Sequence, residues 1–88
     1  MTRPEQIVAI VGRIKSKLEE HIHPLLAGYP PEMQAAALAD LLATWLAGLH
    51  VAGDEDATRR MRAELLATHC AAVRELTSIN AKIMGTTP

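Results

Sequence analysis

The chain has 88 residues, enough for one domain with a thin core. A net charge of −1 offers no bulk attraction to a polyanion, and a lone cysteine, Cys70, excludes an internal disulfide. Aromatic residues make up 2% (Trp45 and Tyr29), so any core must come from Leu, Ile, Val, Met and Ala, a palette that suits packed helices better than a sheet.

The first segment opens on Thr2-Arg3-Pro4-Glu5. The Thr2 hydroxyl can accept from a free backbone N–H, Glu5 follows three residues on as in a capping box, and Pro4 sits in a first turn that does not need its N–H. Ile7, Ile10, Val11, Ile14, Leu18, His21, Ile22 and Leu25 then recur at helical spacing, with Glu5, Arg13, Ser16, Lys17 and Glu20 outside the stripe. Pro24 predicts a kink or an end near His23, giving a helix over 3–23. MTRPEQIVAI lacks the apolar run and small-residue cleavage site of a signal peptide, and the expectation is a cytoplasmic chain. Gly28-Tyr29-Pro30-Pro31 is the clearest break.

The second helix is expected over 31–51, with Gly53 near its end. Leu38, Leu41, Leu42, Trp45, Leu46 and Leu49 form a bulky side; Ala36, Ala37, Ala39, Ala43 and Ala47 form a small one, broken by Asp40 and Thr44. The length would span a bilayer, but alanine contributes little and Asp40 near the middle would cost roughly 2.5–3.5 kcal/mol. A membrane span is therefore excluded.

The third helix is expected over 54–84. The acidic run Asp54-Glu55-Asp56 suits the positive end of its dipole. Its stripe is Met61, Leu65, His69, Ala72, Leu76, Ile79 and Ile83, opposite Arg60, Glu64, Arg74, Glu75 and Lys82, and Gly85-Thr86-Thr87-Pro88 reads as a frayed end. The expected architecture is all-α: one domain over 1–88, a three-helix antiparallel bundle of two shorter helices and a long C-terminal one, completed by dimerisation. The stripes of helices one and three are matched by the bulky side of the middle helix, which leaves the small side without cover. Ala36, Ala39, Ala43, Trp45 and Ala47 are the expected dimer contacts, and two-fold homodimers are the commonest oligomers.

Several polar residues stand where the pattern would place leucine. His21 and His69 fall within apolar stripes, Asp40 and Thr44 interrupt the small side, and Arg62 and Asn80 edge the third stripe. A buried polar group lacking a partner costs roughly 1–3 kcal/mol, so mutual pairing is expected, Asp40 with His69 or Arg62, within the chain or across the dimer. Such a network fixes helix register or dimer pairing; its functional counterpart is a small polar pocket holding a ligand or metal. Glu20 and His23 have the i, i+3 spacing of di-iron bundles but point away from the apolar stripe, so no metal site is assigned. Thr68, Thr77 and Ser78 sit on regular helix with no strained turn to present a nucleophile, and Cys70 lies on the less apolar side. Arg59, Arg60 and Arg62 form the only basic cluster; pairing with Asp54-Glu55-Asp56 at i, i+3 and i, i+4 spacing, for example Glu55 with Arg59 and Asp56 with Arg60, is expected to absorb it.

The resulting expectation is a non-catalytic helical interaction or assembly module that forms a homodimer, without cofactor, nucleic acid or membrane, its partner being a second copy of itself or, besides that, another protein. The alternatives are a ligand- or metal-binding dimer with its site around Asp40 and His69, and a DNA-binding regulator using Arg59, Arg60 and Arg62.

Overall fold

The computed structural model describes residues 1–87; Pro88 lies outside the described residues. The chain is all-helical with three helices: α1 Arg3–Leu26, α2 Pro31–Gly48 and α3 Glu55–Met84. It divides into two compact units, Met1–Leu38 and Ala39–Pro88, with the boundary inside α2. Among the described residues no helix is long and apolar enough to cross a membrane.

In the first unit, α1 begins where its capping residues predict. Thr2 is extended and its hydroxyl accepts from Glu5 N–H at 3.3 Å. Its end differs from the expectation. The helix passes through Pro24 and stops at Leu26, where Ala27 N–H still reaches the His23 carbonyl. Proline removes one helical hydrogen bond, and the residues around it make up the difference. Ile22 and Leu26 are half-buried, and the Gln34 side chain donates to the carbonyls of Leu26 (3.1 Å) and Tyr29 (2.8 Å). Gln34 thus adds a second donor to the Leu26 carbonyl, which also accepts from Tyr29 N–H at 3.2 Å, and ties α2 to the turn that Gly28 makes at φ 87°.

The second unit is an α-helical hairpin of the later part of α2 and α3. Leu42, Leu46 and Leu49 face the half-buried stripe Ala57, Met61, Leu65, His69 and Ala72. α2 ends at Gly48, three residues before the expected 51, because the following carbonyls and amides are claimed by α3. Arg62 Nε donates to Leu49 O at 3.0 Å and its Nη2 to Ala47 O at 2.9 Å. Thr58 Oγ1 accepts from Val51 N–H at 2.9 Å and donates to Asp54 O at 2.8 Å. α3 is capped at both ends: Asp54 accepts from Ala57 N–H at 2.9 Å, and Gly85 takes φ 74°. Thr86 N–H then reaches Ala81 O at 2.9 Å, closing a Schellman turn where fraying was expected. The helix is continuous through Thr77-Ser78, with Thr77 Oγ1 donating to Val73 O.

No residue described here is buried, apolar or polar. The lengths account for it within each unit. At 1.5 Å per residue, the two turns of α2 in the first unit span roughly 12 Å against about 36 Å for α1. In the second, the ten residues of α2 span roughly 15 Å against about 45 Å for α3. A short helix segment cannot cover a long one.

Candidate functional site

The polar positions singled out in the sequence do not converge. Arg62, His69 and Asn80 are half-buried on α3, but His69 and Asn80 stand eleven residues apart, about 16 Å along the helix. His21 is exposed on α1. Asp40 and Thr44 are exposed on α2, where the Thr44 hydroxyl donates to the Asp40 backbone carbonyl at 2.9 Å. The expected pairing of the Asp40 carboxylate with His69 or Arg62 is absent in the chain. Among the described residues that carboxylate makes no hydrogen bond or ion pair, and Arg62 spends two of its donors on the end of α2.

His69 has a different neighbour. Its ring centroid lies 5.2 Å from that of Trp45, at 44°. Nδ1 is 3.0 Å from Leu65 O, and since a carbonyl only accepts, the ring donates there. The pair joins α2 to α3 by aromatic contact and leaves Trp45 45% exposed. Thr58 and Gln34, not picked out from the sequence, are the other two cross-ties. Each is a polar residue in the first turns of a helix that follows a tight break, a position from which it can reach back across the link.

The basic cluster is also partly engaged. Arg59 pairs with Asp56 at 3.2 Å, one of the i, i+3 pairings that the acidic run allows. Beside it, an open recess of about 850 Å³ is lined by His50, Val51, Asp54, Thr58, Arg59 and Arg62, with charges of both signs. Glu20 and His23 are exposed on α1, and among the described residues no three His, Cys, Asp or Glu side chains gather to hold a metal. Cys70 is exposed on α3.

The apolar faces are more coherent. Ile7, Ile10, Val11, Ile14 and Leu18 run along α1 with exposures between 47% (Ile10) and 56% (Val11). Ala36, Ala39, Ala43 and Ala47 are exposed on α2, and Leu66, Val73, Leu76, Ile79 and Ile83 on α3. Each of the three helices therefore carries exposed apolar residues of its own. Neither a family model, nor a curated protein, nor a solved structure matches the chain.

Proposed function

We propose that the chain is a cytoplasmic, non-catalytic assembly module that pairs with a second copy. The small side of α2 (Ala36, Ala39, Ala43 and Ala47, with Trp45 at its margin) and part of α3 form the contact, and the pair completes an antiparallel bundle. One observation carries the reading: no described residue is buried, although the chain holds twenty exposed large hydrophobic residues. Folding free energy comes mainly from apolar burial, and a chain that buries none fully gains its stability by adding another surface. The alanine side supports the choice of face, because small side chains let a second helix backbone come close, while Leu42, Leu46 and Leu49 on the bulky side are already half-buried.

Native mass spectrometry of the whole chain tests this. A dimer that dissociates in Ala43→Glu supports it. A monomer at tens of micromolar concentration overturns it. A dimer carrying a stoichiometric extra mass would replace it with the ligand-binding alternative.

A further inference from the structure

The pairing surface just described lies on α2 and α3 and leaves the seam of α1 unassigned. That seam carries its own charge pattern. At 100° per residue, Lys15 and Lys17 fall about 80° to either side of the centre of Ile7, Ile10, Val11, Ile14 and Leu18. Arg3 falls nearer, about 35° from it, and Arg13 about 115° away. Glu5, Glu19 and Glu20 fall roughly 125° or further away. Arg3, Lys15 and Lys17 therefore border the apolar seam, while Arg13 and the carboxylates lie further round, with Glu19 reaching the rim of the seam's recess. Lys15 touches Glu19 at 3.8 Å, but both side chains are about half exposed, and such a pair holds its members weakly.

This arrangement discriminates between occupants. A second copy of α1 would set Lys15 and Lys17 of both chains around one seam, like charge against like. The seam has no aromatic residue, the anchor that protein hot spots favour. It is a stripe of branched aliphatic side chains, with an open recess of about 320 Å³ lined by Val11, Ile14, Leu18 and Ile22 together with Lys15, Glu19 and His23, and it has long cationic stems at its margins. Lysine and arginine stems lie along apolar surface while their heads stay in a polar layer. We infer that α1 lies on an anionic lipid bilayer, its seam in the interfacial region and Arg3, Lys15 and Lys17 at the level of the headgroups. This is surface association, which a helix too polar to span can achieve.

The test is flotation of the whole chain with vesicles of phosphatidylcholine alone and of equimolar phosphatidylcholine and phosphatidylglycerol, at low and high salt. The expected result is binding to the anionic vesicles only, weakened by salt. Each cation near such a surface contributes about fivefold, so Lys15→Gln with Lys17→Gln lowers partitioning roughly 25-fold. Ile14→Asp abolishes binding. Arg60→Gln with Arg74→Gln, the same loss of charge on α3, leaves it unchanged. Helix content by circular dichroism confirms that each variant is folded. Absence of binding to anionic vesicles overturns the inference, as does an equal loss in the α3 double variant. Capture by polyglutamate without capture by vesicles overturns it in favour of an acidic protein partner. Native mass spectrometry on the same preparations reports pairing separately, so either proposal can fail alone.

Discussion

Arg62 reaches back thirteen residues to bond backbone rather than a carboxylate: its Nε donates to the Leu49 carbonyl at 3.0 Å, and its Nη2 donates to the Ala47 carbonyl at 2.9 Å. A guanidinium on the last carbonyls of a helix satisfies orphaned acceptors and meets the negative end of the dipole. Charged donors to such groups are worth about 1.5–3 kcal/mol when buried, and Arg62 is only half-buried. Arg62→Ala is expected to destabilise the chain by about 1–2 kcal/mol in urea unfolding at fixed protein concentration. Arg62→Lys should recover less than half, since an ammonium cannot make the fork. An unchanged midpoint for Arg62→Ala would show that the clasp contributes nothing.

Thr58 is the second tie across the same link, accepting from Val51 N–H and donating to the Asp54 carbonyl. Thr58→Val keeps the shape and removes the oxygen. A loss of about 1–2 kcal/mol is expected, together with faster amide exchange at Val51. Exchange at Val51 as slow as in the wild type would mean that the link is held by other means.

Asp40 gives the opposite prediction. With no partner for its carboxylate in the chain, Asp40→Asn should shift stability by less than about 0.5 kcal/mol. A loss above about 1 kcal/mol that grows on dilution would place its partner on a second copy.

Gly12 sits mid-way along α1, and a Cβ built there meets nothing within 4 Å. Glycine inside a helix costs about 0.8–1.0 kcal/mol relative to alanine. Gly12→Ala should therefore raise helix content and stability by up to that amount. Its position on the back of the seam predicts no effect on vesicle binding beyond this gain, and a lower thermal midpoint would indicate that something packs on that side.

The helices were legible because their ends are written in local chemistry. Thr2 and Asp54 cap the starts of α1 and α3, and Pro31 stands at the start of α2, as the residues foretell. The misjudged ends are those set by side chains from elsewhere in the chain. Gln34 and the packing of Ile22 and Leu26 carry α1 past Pro24, and Arg62 with Thr58 unwinds α2 after Gly48. Periodicity cannot report a contact between residues eight or thirteen positions apart. The surroundings of the polar positions within one chain were illegible for a related reason. A residue that interrupts an apolar stripe was assumed to be buried, whereas Asp40 faces solvent and His69 meets Trp45 and a carbonyl of its own helix.

The absence of any buried side chain also bears on heat. The heat-capacity increment of unfolding scales with the apolar surface newly wetted. Side chains that already keep half of that surface in water, like those along α1, have little left to expose. The single chain accordingly has a flat stability curve, with weak curvature towards both cold and heat. A steep one measured in solution would be the calorimetric trace of surface hidden between molecules.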